Sequence, residues 1–439
     1  MPKPADPLPG PSLAGPLSWE ELEALAPPEP DRVQGPTSAQ ATLRLFGAEE
    51  SAVRVTLYRD HHAWCPYCQK VWLWLEERRI PHRTRKVTMF CYGEKERWYR
   101  RLVPSGMLPA LELDGRLITE SDRLLEALEA TFGPLGAGMG EARVVPLRQL
   151  ERMLFQAWCE WLCRPHQPSS EARAREEFQR LARAMEAALE ARGGPFFLGD
   201  AFTTADLVFV PYVERMNASL AYYKGFALRR EHPAIHRWFT ALEARSTYLG
   251  TQSDFHTHAH DLPPQMGGCY ASGDPAQRAL AARIDAGPWP IGAPVGASLA
   301  LPTDGPLDPE TSQSEPADAA LVALGRVLRH RAPILARNPL PSDLFAPALR
   351  CALTALVAGP GAGLIPPAGS AAGLRHLRDR ISVPRDMPLH SARRLRQALE
   401  ATARRDPLDP RAQSLPIPWQ HRRDQDPRPF LPALHDLAS

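Results

Sequence analysis

The chain has 439 residues with 52 basic against 50 acidic side chains, so it is long enough for two or three domains and carries no charge excess that would demand a polyanion such as nucleic acid. Seven cysteines, an odd number over this length, do not make a disulfide scaffold, and a reducing, cytoplasmic setting suits them better. No apolar run is long enough to cross a bilayer, and the Pro-broken first 18 residues lack the apolar core of a secretory signal, so no membrane role is expected.

Residues 1–50 read as a mostly irregular N-terminal segment, of which the Pro-rich residues 1–40 read as a mostly disordered tail. One short helix is expected at 18–25, where Ser18 and Glu21 stand at capping-box spacing, and a short strand at 41–46. Residues 51–137 alternate strand and helix: strand 53–59, helix 66–78, strand 83–89, short helix 94–102, then two apolar runs joined by Asp114-Gly115, and a helix 120–131. Asp-Gly between apolar runs is a hairpin signal, so those two strands are antiparallel. The order β-α-β-α-β-β-α predicts an α/β, thioredoxin-like first domain.

Residues 138–270 change to helical periodicity. Leu147, Leu150, Leu154 and Trp158 recur at helix spacing, as do Phe178, Leu181, Met185 and Leu189. Thr203-Thr204-Ala205-Asp206 predicts a capped, apolar helix through Val213, and Pro233 opens another to Ala244. Residues 271–317 are punctuated by Pro and Gly and read as a linker. Leu321, Leu324 and Leu328, then Leu349, Leu353, Leu356 and Val357, then Leu395 and Leu399, form apolar stripes that predict a small helical module at 318–405. An irregular tail is expected at 406–439.

The chemistry concentrates in Trp64-Cys65-Pro66-Tyr67-Cys68, between a strand and a helix. Cys65 falls at the helix N-terminus, where unpaired N–H groups and the helix dipole favour a thiolate. Pro66 suits the first helical position, and Cys68 lies one turn deeper, able to attack a mixed disulfide on Cys65. Inert thiols or metal ligands are the competing reading, but zinc sites call for a second ligand pair at regular spacing. Pro109, opening a strand after Leu108, is a candidate cis bond that would turn the Leu108 backbone toward an extended ligand; an edge-strand Pro is the plain alternative. Glu120-Ser121 starts a helix whose N–H groups could hold a carboxylate, or Ser121 could simply be its cap. His256, His258 and His260 alternate; on an extended segment they would share one face, yet with no second ligand cluster in the sequence no metal is expected.

Residues 53–250 resemble a glutathione transferase, above all the cysteine-type omega class and glutaredoxins. The resemblance rests on Cys65-Pro66-Tyr67-Cys68, Met107-Leu108-Pro109, Glu120-Ser121 and Thr203-Thr204-Ala205-Asp206. It implies an all-α second domain behind the thioredoxin-like one, with an additional helical C-terminal extension beyond the likeness. It implies glutathione as co-substrate, Cys65 as nucleophile, and a glutathione site of Pro66, Tyr67, Lys95, Leu108, Pro109, Glu120 and Ser121. In it Lys95 matches a lysine that holds a terminal carboxylate, Leu108 pairs with the cysteinyl backbone, and Glu120 and Ser121 hold the γ-glutamyl end. Trp158, Tyr212 and Met216 are candidates for a second-substrate pocket, though core packing accounts for them equally well. A small molecule or disulfide is the expected second substrate, and the resemblance is compatible with a homodimer. Cys68 departs from the omega pattern and leaves a dithiol route beside the monothiol one. Glutathione conjugation to electrophiles, with Tyr67 or another hydroxyl holding the thiolate, and non-catalytic binding of glutathione or a metal are the alternatives. His61, His62 and Lys70 lie near Cys65 in sequence and would make its mouth electropositive.

Overall fold

A computed structural model describes residues 15–286, 315–359 and 364–408. Its sheet comprises β1 (Leu43–Arg44), β2 (Val55–Asp60), β3 (His82–Val87), β4 (Ala110–Leu113) and β5 (Arg116–Thr119). The order is β1-β3-β2-β4-β5, with β2 and β3 parallel and the other pairs antiparallel. The parallel pair requires a crossover, supplied by α2 (Pro66–Glu77); α3 (Arg97–Leu102) and α4 (Ser121–Phe132) complete this thioredoxin-like layer. The β4–β5 hairpin turns on Asp114 at φ 51° and Gly115 at φ 77°, the two left-handed positions that its two-residue turn demands. A further short helix, α1 (Trp19–Leu25), carries the expected capping box between Ser18 and Glu21.

A helical layer follows: α5 (Val145–Cys163), α6 (Pro168–Glu190), α7 (Thr204–Lys224), α8 (Leu228–Glu231), α9 (Pro233–Glu243) and α10 (Ser246–Thr251). One apolar core runs from Val55 and Leu57 of the sheet through Val71 and Leu75 of α2 to Leu207, Val210 and Leu220 of α7. The helix α7 is buried on almost every face and continues past Val213 to Lys224, although Pro211 interrupts its hydrogen bonding. Its N-terminus is built on Asp206. That carboxylate accepts from the Thr203 N–H (3.0 Å), the Phe197 N–H (3.0 Å) and the Trp238 indole N–H (3.1 Å). Burial pushes its pKa up to about 6 against these donors. Asp206→Ala leaves four buried donors, the Thr203 hydroxyl among them, without this acceptor, so urea unfolding should show a loss of about 3 kcal/mol.

The remaining helices are α11 (Phe255–Met266), α12 (Pro275–Ala286), α13 (Ala319–Arg329), α14 (Arg331–Arg337), α15 (Ser342–Ala358), α16 (Ala371–Arg380) and α17 (Leu389–Ala403). Helices α13 to α17 enclose a second core of Leu324, Phe345, Leu349, Leu353, Leu374, Leu395 and Leu399, to which α1 contributes Leu22. Two expectations are thereby corrected. The segment before residue 50 is not a loose tail: from residue 15 on it is packed, with the Leu17 N–H bonded to Thr354 Oγ1 at 3.0 Å and Arg350 Nε donating to the Leu17 carbonyl at 2.9 Å. The stretch 271–317 is not linker throughout, because Asp274 accepts from the Gln277 N–H at 2.8 Å and Pro275 opens α12, which packs on α7. Residues 287–314 and the greater part of the 406–439 tail lie outside the described residues.

The second core docks on the first through polar contacts. Arg396 of α17 pairs with buried Asp254, the Val383 N–H donates to Thr257 Oγ1 (3.1 Å), and Gln40 Nε2 donates to the Pro384 carbonyl (3.2 Å). Among the described residues no helix is long and apolar enough to cross a membrane.

Candidate active site

The loop between β2 and α2 is fixed before its thiols are considered. Asp60, fully buried at the end of β2, accepts the backbone N–H groups of Trp64 (2.6 Å) and Cys65 (3.1 Å). Arg215 of α7 stacks 4.4 Å over the Trp64 ring, donates to the Trp64 carbonyl, and reaches Gln69 Oε1 at 2.9 Å. Glu214 accepts from the Ser253 N–H (3.0 Å), and its Oε1 lies 2.8 Å from His258 Nε2. Charges this deep persist only when paired and hydrogen-bonded, so the loop, α7 and α11 are held in one buried polar network.

On that base Cys65 is the N-cap of α2 and Pro66 its first residue. Cys65 is 6% exposed and Cys68 1%. Burial, and then a hydrogen bond from its own S–H to the Cys65 sulfur, holds Cys68 protonated well above the usual thiol range. Met89, Cys91 and Tyr92 pack against the two thiols, with Leu108 alongside. The Leu108–Pro109 peptide bond is cis. Lys95 is half-buried within electrostatic reach of both sulfurs and donates to the Thr88 carbonyl at 3.0 Å; burial lowers its pKa while the thiols oppose that shift. Glu120, not Ser121, is the N-cap of α4. Its φ of 69° with ψ of 112° is unusual for a residue other than glycine, and its side chain caps nothing. Such strain, of order 1–3 kcal/mol, concentrates where backbone groups are aimed at a ligand. Ser121 follows it, buried at the first helical position.

The electropositive mouth is not built from the residues nearest in sequence. Lys70 turns away from Cys65 and pairs with Asp122, which Arg148 also holds at 3.0 Å, tying α2 to α4. Burial, then the nearby His62 and cationic side chains, lowers the His61 pKa to about 4, and His62 stacks on Tyr92 with ring centroids 4.0 Å apart. Cations within electrostatic reach of the thiols are Lys95, Arg215 toward Cys65 and buried Arg59 toward Cys68. Tyr67 is the exposed member of the motif. Its ring meets Tyr212 edge-on at 5.7 Å, and Arg152 lies 4.5 Å over Tyr212. Of the three residues expected in a second-substrate pocket, Tyr212 therefore stands beside the thiol helix. All three are nevertheless buried in the same core, where the Trp158 indole N–H donates to Ser219 Oγ at 3.0 Å. Asp60, Cys91, Arg152 and Arg215 were not legible as site residues, since single polar side chains within apolar runs leave no spacing signal.

The histidine triplet also differs from expectation. It lies on the helix α11, where residues two apart diverge and residues four apart share a face. His256 and His260 stand together, and His258 turns to Glu214 and the edge of Trp64.

A family model described as glutathione S-transferase, N-terminal domain, matches residues 64–131, and one described as glutathione S-transferase, C-terminal domain, matches 168–241. The chain is similar to glutathione S-transferase DHAR2 of Arabidopsis thaliana, 25% identical over 197 residues, or 43% of this chain and 84% of that protein. It is similar to glutathione S-transferase L3 of the same plant, 26% identical over 193 residues, with 43% and 79% covered. Among solved structures, glutathione transferase Omega 3C from Trametes versicolor aligns at a TM-score of 0.40 and 26% identity, covering 45% of this chain and 89% of that one. Both family matches end before α10, so the later helices stand outside them.

Proposed function

We infer that the protein is a glutathione-dependent thiol transferase of the glutathione S-transferase superfamily with Cys65 as its nucleophile, a reading supported by the family matches over residues 64–131 and 168–241 and by the likeness to DHAR2 and L3. The observation that carries this reading is the arrangement of Cys65 itself. It opens α2 as its N-cap, with Cys68 packed beside it one turn deeper.

In the inferred cycle the Cys65 thiolate attacks the glutathione sulfur of a glutathionylated thiol. The sulfur–sulfur bond breaks, the departing thiolate takes up a proton, and Cys65 holds glutathione as a mixed disulfide. A second glutathione thiolate attacks that glutathione sulfur, which yields glutathione disulfide and restores Cys65. Lys95 would hold a terminal carboxylate, the Leu108 backbone the cysteinyl unit, and Glu120 with Ser121 the γ-glutamyl end; Pro66 and Tyr67 border the bound tripeptide. Burial keeps Cys68 protonated, which favours the monothiol route over attack by Cys68. The cycle consumes reduced glutathione, so a reducing compartment such as the cytoplasm suits it.

Steady-state turnover of a glutathionylated small thiol tests the reading; a purified protein that binds glutathione without turning it over would contradict it. Lys95→Ala should raise KM for glutathione about tenfold, the loss of one charge-assisted hydrogen bond, with a smaller change in kcat.

A further inference from the structure

We propose that His256 and His260 of α11 and Asp285 of α12 form a three-residue binding site for a divalent transition-metal ion of the zinc type, with water as its fourth ligand. The two imidazoles are one helical turn apart, with ring centroids at 4.7 Å. Asp285 Oδ1 lies 2.7 Å from His260 Nε2, and the ligating atoms of His256, His260 and Asp285 all fall within 4.8 Å of one another. Asp379 Oδ1 is 3.9 Å from His256 Nε2. No ion is present.

The surroundings are those of a ligand set. Tyr222 Oη donates to Asp285 Oδ2 at 2.9 Å, the kind of outer contact that holds a metal ligand in place, while Asp379 gives its Oδ1 to Arg378 at 2.7 Å and stands outside the ligand set. His256 and Asp379 are nearly dehydrated, His260 is mostly buried, and Asp285 leaves one side open for entry. Two neutral imidazoles with a carboxylate select a borderline ion such as Zn²⁺ over Mg²⁺ or Ca²⁺, which take all-oxygen shells. Zinc bonds of about 2.1 Å in a tetrahedron hold donor atoms roughly 3.4 Å apart. The His260–Asp285 hydrogen bond would therefore open slightly and His256 swing inward.

The plain alternative is two His–Asp pairs with no metal. Against it stands the convergence of three donors from two helices, both C-terminal to the glutathione S-transferase matches. An ion here would clamp α12 onto α11.

The test uses the full, untagged chain, stripped by a chelator and titrated with Zn²⁺ and with Co²⁺. One equivalent should bind. The Co²⁺ form should show visible ligand-field bands without thiolate charge transfer, and Zn²⁺ should raise the thermal midpoint. Asp285→Asn, which keeps the side chain's shape, and His260→Ala should each weaken binding a hundredfold or more, and Tyr222→Phe about tenfold. Binding that survives Asp285→Asn and His260→Ala, a thiolate-type Co²⁺ spectrum pointing to Cys159, Cys163 and Cys269 or to Cys65, or no binding at all would overturn the proposal. If a variant fails to fold by circular dichroism, the wild-type stoichiometry and Co²⁺ spectrum still decide. None of these readouts depends on thiol transfer by Cys65.

Discussion

Cys65→Ser is expected to lower glutathione-dependent thiol transfer by on the order of 10³-fold or more, because the nucleophile itself is removed. Cys68→Ser should keep activity within about tenfold, since the monothiol cycle uses Cys68 only as a donor to the Cys65 sulfur. The asymmetry follows from depth. Cys65 caps α2 at its open end, while Cys68 sits a turn further in, fully buried and held protonated. A thiol in that state attacks slowly, because the thiolate is the reactive form. Cys68→Ser places a hydroxyl among apolar neighbours and should destabilise the fold by about 1–2 kcal/mol, so activities are compared at a temperature where both variants are folded. Equal losses in the two variants would point to a dithiol cycle, and retention in Cys65→Ser would remove Cys65 from the chemistry.

Arg396→Leu is expected to cost about 3–5 kcal/mol, the penalty for leaving a buried charge without its partner. Arg396 carries the second core's main polar grip on the first: it pairs with Asp254 and donates to the Ile381 carbonyl (2.6 Å) and to Thr257 Oγ1 (3.3 Å). The pH dependence separates this from a packing defect. Burial opposes ionisation of Asp254, but Arg396 and hydrogen bonds from Thr257 bring its pKa down to about 2. A depressed carboxyl pKa stabilises the fold above its unfolded value of about 3.9, and that contribution is lost as pH falls toward 2. Between pH 7 and 5 the wild-type contribution is therefore flat. In Arg396→Leu the guanidinium is gone and burial raises the Asp254 pKa above the unfolded value. The folded state then binds the extra proton, and the variant should recover stability as pH falls from 7 to 5. Denaturant midpoints of the two proteins at both pH values measure this difference; a gap independent of pH would mean that Asp254 is not the group left behind.

Local spacing carried much of this protein. The strand-helix alternation, the Asp114-Gly115 turn, the Ser18 and Thr203 caps and the cis bond at Pro109 each depend on neighbours within a few residues, and each was legible. What depended on distant partners was not. Leu22 fills a core more than three hundred residues away in sequence. Asp60 and Arg215 meet only through the β2–α2 loop. The helix α11 was not legible at the histidines, which read as a polar loop, and Pro263 and Pro264 follow them. Pro263 has no N–H for the Ala259 carbonyl one turn earlier, and the Tyr223 hydroxyl supplies that bond at 2.7 Å. A tertiary hydrogen bond thus replaces a helical one, and only the fold reveals it. Lys70 misled in the opposite way: adjacent to the thiol motif in sequence, it serves Asp122 on α4.

The central claim is that Cys65 forms a mixed disulfide with glutathione, and it is tested most directly by mass spectrometry of the full chain after exposure to glutathione disulfide. A single glutathionyl adduct mapped to Cys65, absent in Cys65→Ser and retained in Cys68→Ser, is the result expected. A free Cys65 with the adduct on another cysteine would contradict it.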